Sequence, residues 1–265
     1  VALTSLRDQI DQVDQQMHQL LNQRARLAEQ VAHAKQATET NPVFYRPERE
    51  AQVLRAVMAR NTGPLADETV ARLFREIMSA CLALEAPQTI AFLGPLGTFT
   101  QAAALKHFGH SAVSVPQATI DEVFREVEAG SAHYGVVPVA DSSDGVVYHT
   151  LDCFLASSLQ VMGEVELRIH HNLLVAETTR KESITRIYSH QQSLAQCRKW
   201  LDAHYPNAER VAVSSNAEAA RRIKTEWHSA AIAGESAAEQ YGLEMLHRNI
   251  EDNPSNTTRF LIIGR

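Results

Sequence analysis

Arg24 and Lys35 stand eleven residues apart, in a segment with no glycine or proline before Pro42. At ~100° per residue, eleven steps make three turns, so the two cations share one helix face about 16 Å apart. Ala28 and Val31 fall on the same side, so the cations border an apolar surface. Arg7 lies about 100° away from Arg24 around the same helix, so it cannot join that pair from the same straight helix but could reach a pocket in a partner subunit. Arg46, Arg49 and Glu50 cluster shortly after. Guanidinium groups hold carboxylates through two parallel hydrogen bonds, and that is the chemistry these residue types offer. Taken singly, each is also what a solvated helix face carries.

A second set of polar groups lies beyond residue 89: Thr98 and Thr100, Asp141-Ser142-Ser143, Ser189-His190-Gln191-Gln192, and Asn256-Thr257-Thr258-Arg259-Phe260. The strand-like run Ile90–Leu93 feeds the turn Gly94-Pro95-Leu96-Gly97 and a helix start at Thr98-Phe99-Thr100. That junction offers unpaired backbone N–H groups to an anion. It is neither a P-loop nor GxGxxG. Ser189 beside His190 has no nucleophile-elbow or other triad signature, so nucleophilic catalysis is not expected. His170-His171 has no metal-binding spacing, so no metal is expected.

Two architectures must position these groups. Only Gly63 of the eleven glycines lies in the first 86 residues. Leu6, Ile10, Val13, Met17, Leu20, Leu21, Leu27, Val31 and Ala34 make a helical stripe ending near Lys35. Ser5 to Asp8 fits a weak capping box at its start. The helix is expected to run ~30 residues and ~45 Å. Further helices are expected over Pro47–Arg60 and from Asp67 through Leu84. Three helices so unequal cannot cover the first stripe, and pairing two long helices in a dimer is the simple remedy. After Ala86-Pro87 the pattern becomes alternating strands and helices, an α/β layering. Strands are expected at Tyr134–Val139, Val161–Ile169, Arg186–His190, Arg210–Ser214, Ala230–Ala233 and Arg259–Ile263, with helices such as Gln192–Ala203 and Ala217–Glu226. Ligands of such folds sit at the carboxyl ends of strands.

The 265 residues suffice for two ordinary domains, and 45% hydrophobic with 21% charged residues is ordinary for a globular protein. A net charge of -6 gives a nucleic-acid role no support. Cys81, Cys153 and Cys197 are odd in number and form no CxxC pair, which fits buried thiols in a reducing compartment. No run is apolar enough to span a membrane and no leader pattern opens the chain, so a cytoplasmic location is expected.

The run Leu6-Arg7-Asp8, Ile10-Asp11, Asp14, then Arg24, Leu27-Ala28, Val31, Lys35, then Arg49-Glu50 and Val53-Leu54 resembles the all-helical chorismate mutase family over residues 1–86. The resemblance implies an intertwined homodimer of three-helix chains. It also implies a pocket lined by Arg24, Lys35, Arg49 and Glu50, with Arg7 from the other chain. Arg46 and Cys81 are expected among its substrate contacts. Chorismate rearranges to prephenate pericyclically, with no nucleophile. Conformational restriction supplies most of the effect. A Lys35 beside the ether oxygen contributes roughly 3–4 kcal/mol. The last helix carries Cys81 and Glu85 where Ser and Gln are common. Glu85 could donate to the ether oxygen only when protonated.

Residues 87–265 are similar to the prephenate dehydratase family, through Gly94–Thr100, Gly135-Val136-Val137-Pro138-Val139, Ser189-His190, Gln192, Cys197 and Asn256-Thr257-Thr258-Arg259-Phe260. The two halves together resemble the bifunctional chorismate mutase/prephenate dehydratase family of phenylalanine biosynthesis. The resemblance implies a two-lobed domain like a type 2 periplasmic binding protein. Lobe one is expected over about 89–165 plus 247–265 and lobe two over about 166–246. Thr258 would protonate the departing hydroxyl as the ring carboxylate leaves as CO2, giving phenylpyruvate. Thr98, Thr100, Ser142, Ser189 and Gln192 would hold the substrate. Arg259 either anchors a carboxylate or braces its lobe. No cofactor is implied, and the partners are chorismate, prephenate and a second copy of the chain.

Ala140-Asp141-Ser142 stands where Glu-Asn-Ser is usual, and Tyr148 where Asn is usual. An Asp141 carboxylate within ~4 Å of a dianionic substrate costs on the order of 4 kcal/mol at an effective dielectric of about 20. Three readings are therefore open: two working sites, a working mutase with an impaired dehydratase, or a two-lobed domain that binds a small molecule without catalysis. The sequence runs to Arg265, directly after the Thr-Arg-Phe strand, and the small phenylalanine-binding ACT domain usual in this class is not expected. Feedback inhibition by phenylalanine is accordingly not expected.

Overall fold

The computed structural model describes residues 2–265 and resolves two compact units. One comprises residues 1–88 with 107–113; the other comprises 89–106 with 114–265. The sequence divided the chain at Ala86-Pro87, and the short returning segment 107–113 is an addition it did not contain.

The first unit is helical. α1 (Leu3–Thr38) is 36 residues long, α2 (Pro47–Arg60) opens on a proline at its first position, and α3 (Asp67–Glu85) begins with Asp67 and Glu68. Proline with its preset φ suits the first helical position, and acidic residues there favour the positive end of the helix dipole. α3 buries Met78, Ser79 and Cys81. α1 buries only Ala28 and Ala32. Its apolar stripe is bare: Ile10 is 59% exposed and Leu20 is 63% exposed. Within this unit the Tyr45 hydroxyl and His107 Nε2 are 2.7 Å apart.

The second unit is α/β. It runs β1 (Thr89–Leu93), α4 (Phe99–Phe108), β2 (Val113–Gln117), α5 (Ile120–Ala129), β3 (Tyr134–Asp141), β4 (Gly145–Val146), α6 (Tyr148–Leu155) and β5 (Gln160–Arg168). Then come β6 (Asn172–Val175), β7 (Arg186–Ser189), α7 (Gln191–Gln196), α8 (Arg198–His204), β8 (Glu209–Ala212) and α9 (Asn216–Ile223). It closes with β9 (Ser229–Ala233), α10 (Glu235–Tyr241), β10 (Glu244–His247) and β11 (Thr257–Gly264). The first sheet has the order β2-β1-β3-β11-β5, with β4 on β3; the second has β10-β6-β9-β7-β8. Each sheet is the centre of one lobe. β11 returns from the second lobe and enters the first sheet antiparallel to both β3 and β5.

The chain crosses between lobes twice, and the two crossings bond to each other. Ile169 N donates to Asn256 O at 2.8 Å, Ile250 N to His171 O at 2.8 Å, and His171 N to Glu251 Oε2 at 3.1 Å. The helix expected over Gln192–Ala203 is two helices, broken at Cys197. The cause is tertiary. The Asp252 carboxylate caps α8 through Lys199 N and Trp200 N at 2.9 and 3.1 Å, while Asp252 N binds Gln196 O at 2.8 Å. β2, β4, β6, β10, α5, α6 and α10 were not among the expected elements. For α5 the signal was present: Thr119 accepts from Glu122 N, and Gly130 closes the helix at φ 79.

His107 is held neutral. Burial first, and then the nearby Arg75 charge, push its pKa down to about 4. A histidine depressed in the fold contributes stability above its unfolded pKa and loses it as pH falls. Lowering the pH from 6.5 to 4 should remove about 3 kcal/mol through this group. Urea unfolding of wild type and His107→Gln across that range should give a free-energy difference that shrinks by this amount. A difference independent of pH would show that His107 is not the titrating group.

Candidate active sites

Two cavities are built from the residues singled out in the sequence, one in each unit.

The first, of about 210 Å³, lies among all three helices of the first unit. Arg24 and Lys35 come from α1, Arg46, Arg49 and Glu50 from the start of α2, and Cys81 and Glu85 from the end of α3. Val31, Val53, Met78 and Leu82 supply apolar wall. Lys35 Nζ donates to Val43 O at 3.0 Å and lies 5.6 Å from the Phe44 ring centroid. One tethered N–H leaves two for a ligand. Arg75 pairs with Glu50 at 3.4 Å. Burial raises the Glu50 pKa above the ordinary glutamate range, against the pull of Arg75, a Tyr45 hydrogen bond and Arg24. Burial also raises Glu85, with Lys35 and then Arg24 pulling the other way. Arg7 is exposed on α1 and is not part of this wall.

The second cavity, of about 370 Å³, is the cleft of the α/β unit. Thr98, Thr100 and Asp141 reach it from the first lobe, His190, Gln192 and Asn216 from the second, and Thr258 from the returning β11. The starts of α4, α7, α9 and α10 all face it. Their first N–H groups have no partner within their own helices and attract anions. Gly97, at φ +88, makes the turn into α4, and a Cβ there would meet Ala237 Cα at 3.1 Å. No Lys or Arg is among the described residues that line the cleft.

Thr258 and Asp141 form the centre of this site. They are paired in register between β11 and β3, and Thr258 Oγ1 donates to Asp141 Oδ2 at 2.6 Å. Asp141 Oδ1 accepts from Ser143 N at 2.8 Å and from Asp144 N at 3.3 Å. Asn256, which is buried, accepts from the Ser142 and Ser143 hydroxyls at 2.7 and 3.0 Å. The β3–β4 turn is thus strapped to the start of β11.

Three expected contacts take other places. Arg259 does not line the cleft and is held by Glu164 through bonds of 2.7, 2.8 and 2.9 Å. Strand alternation explains this, since Thr258 and Phe260 face the cleft and the residue between them faces away. Ser142 acts on Asn256 rather than on the cleft. Ser189 is fully buried, with Oγ 2.7 Å from Asn216 Oδ1 and 2.8 Å from Ile232 O. Its single proton serves one of these at a time, and Ser189 thereby supports Asn216 and not a ligand directly. Asn216 Nδ2 in turn donates to Ser193 Oγ at 2.8 Å.

His171 and Asn216 are among the lining residues that sequence reasoning missed. His171 was considered only for metal, yet it lines the cleft with Nε2 2.7 Å from Gln196 Oε1. Burial lowers its pKa, and Nδ1 has no partner among the described residues. Asn216 was legible only as the end of a polar run, Ser214-Ser215-Asn216, following a strand.

Known families match both units in order. The family model for chorismate mutase type II matches residues 6–86, and that for prephenate dehydratase matches 90–265. The chain belongs to the bifunctional chorismate mutase/prephenate dehydratase family. A Pseudomonas aeruginosa enzyme of that name is 63% identical over 265 residues, covering 99% of this chain and 73% of the relative. Its Neisseria gonorrhoeae counterpart is 54% identical over 260 residues, covering 97% and 71%. Among solved structures, the Arthrobacter aurescens prephenate dehydratase in complex with L-Phe superposes with a TM-score of 0.62 at 36% identity, covering 67% of this chain and 60% of that one. No helix among the described residues is long and apolar enough to cross a membrane.

Proposed function

We propose that this chain rearranges chorismate to prephenate in the helical cavity and converts prephenate to phenylpyruvate in the α/β cleft, two consecutive steps of phenylalanine biosynthesis. The observation that carries this is the convergence of Arg24, Lys35, Arg49 and Glu85 on one cavity, with Thr258 and Gln192 on the other.

The first reaction breaks an ether C–O bond as a C–C bond forms, with no proton transferred. Arg24, Arg46 and Arg49 hold the carboxylates as fixed forks and enforce the compact conformer. Lys35 stabilises charge developing on the ether oxygen, and protonated Glu85 donates to the same atom. The cavity is completed by Arg7 of a second copy, and the bare stripe of α1 is the dimer surface. Burying such a stripe is favourable at roughly 25 cal/mol per Å² of apolar area.

In the second reaction the ring carboxylate leaves as CO2. Its bonding electrons aromatise the ring and expel the hydroxyl, which takes one proton and departs as water. Thr258 delivers that proton. The substrate anion is held by the helix N-termini and by Thr98, Thr100 and Gln192, since no Lys or Arg lines the cleft among the described residues. Asp141 opposes this: it adds negative charge and draws the Thr258 hydroxyl toward itself.

The test is a paired assay in which chorismate and prephenate are supplied separately, with chorismate loss and phenylpyruvate formation followed in each. Phenylpyruvate should form from both. Chorismate loss without phenylpyruvate would leave a mutase joined to an inactive cleft.

Three outcomes are expected. Mutase kcat/KM should rise as pH falls below neutral, since the raised Glu85 pKa brings protonation within reach; Glu85→Gln should flatten that limb, and an unchanged profile would refute the role. Asp141→Asn should raise dehydratase kcat/KM by about tenfold or more, the low end of a like-charge contact relieved; no gain would remove the electrostatic argument. Arg7→Ala and Lys35→Ala should each abolish mutase activity, and co-expressing the two should restore part of it through one intact site per mixed dimer. A mixed preparation no better than its parents would rule out the shared site.

A further inference from the structure

Away from both cavities, three different donor groups meet at one point. Asp121 stands in the first turn of α5, and His149 and Cys153 lie one turn apart on the same face of α6. Asp121 Oδ2 is 2.6 Å from His149 Nε2. Cys153 Sγ is 3.5 Å from Asp121 Oδ1 and 3.9 Å from the same His149 Nε2. One ligand atom from each residue lies within 4.8 Å of the others. Phe124 and Phe154 pack edge to face at 5.0 Å between centroids and fix the two helices against each other.

This arrangement is not a nucleophile relay. A thiol–imidazole–carboxylate relay uses opposite ring nitrogens for the thiol and the carboxylate. Here both approach Nε2. The thiol is also a poor nucleophile, because burial and then the Asp121 carboxylate push its pKa up to about 11. Nor is it a plain surface ion pair. His149 and Asp121 are about half exposed, but Cys153 is partly buried and aimed at them.

We infer that Asp121, His149 and Cys153 form a binding site for one divalent transition-metal ion of the zinc class, with the fourth position open to solvent. A mixed thiolate, imidazole and carboxylate set suits that class. Bonds of 2.0–2.3 Å in a tetrahedron place donors about 3.3–3.6 Å apart. The two sulfur distances are already near this span. The 2.6 Å contact is made by the other carboxylate oxygen, Oδ2, and opens by ~0.7 Å if that oxygen is the ligand, at two side chains that are about half exposed. Asp152 and Glu128 add negative charge around the thiol, which favours a cation. On binding, Cys153 gives its proton to solvent. The His149 ring proton, which Nε2 donates to the ionised Asp121 carboxylate in the metal-free pair, moves to Nδ1 and leaves Nε2 to the ion, and Asp121 stays ionised. One proton is therefore released per ion.

The experiment uses the full chain freed of metal, titrated with zinc against a chromogenic chelator and, separately, with cobalt(II). One ion should bind per chain, with release of about one proton in calorimetry across two buffers. Cobalt should show a near-ultraviolet thiolate charge-transfer band. Cys153→Ser should abolish that band, and both it and His149→Ala should weaken zinc binding by more than about tenfold. Asp121→Asn should weaken zinc while keeping the band. Chorismate and prephenate turnover report that each variant is folded. A wild type without the band, or a band that survives Cys153→Ser, overturns the assignment.

Discussion

The α/β unit depends on where β11 enters its sheet. That strand arrives from the second lobe and is inserted between β3 and β5, antiparallel to both. Its register sets Thr258 opposite Asp141, across 117 residues of sequence. A slip of one residue would turn Thr258 away and bring Arg259 into the cleft. The pairing is over-determined locally: Ser142, Ser143 and Asn256 tie the turn to the incoming strand, and Thr257 N donates to Ser142 Oγ at 2.9 Å. The cleft wall is rigid at this point because the two segments share one hydrogen-bond network.

The two cavities differ in the charge of their linings. In the helical unit, three guanidinium groups and an ammonium are gathered around a cavity of about 210 Å³. Its acids, Glu50 and Glu85, have pKa values raised by burial despite those cations. The α/β cleft has no Lys or Arg among its described lining residues, and the starts of four helices border it. A pericyclic reaction gains from fixed charge and shape alone, which forks on rigid helices provide. A reaction that must expel CO2 and water needs a proton donor placed at the departing hydroxyl.

The elements show how far local signals reach. α1, α2 and α3 were legible because their period, breakers and proline lie in contiguous sequence. The central strands were legible as short apolar runs between turns. The break at Cys197 was not, because its cause is Asp252, a carboxylate fifty residues away that caps the second half of the expected helix. β6 and β10 were missed because short apolar runs do not distinguish strand from helix until partners are known.

The sequence by itself determined the two architectures and most of the chemistry. Residue type and spacing placed Arg24 and Lys35 on one face and set Arg7 apart from them, and the family resemblance marked Thr258 and Asp141 separately; that the two meet is a fact of strand register. The tertiary structure alone decided which polar groups line a cavity and which bond to other side chains behind it. Arg259 braces Glu164, Ser189 positions Asn216, and His171 enters the cleft unannounced. The physical reason is that a side chain's face is set by local periodicity, whereas its partner is set by strand register and by contacts distant in sequence.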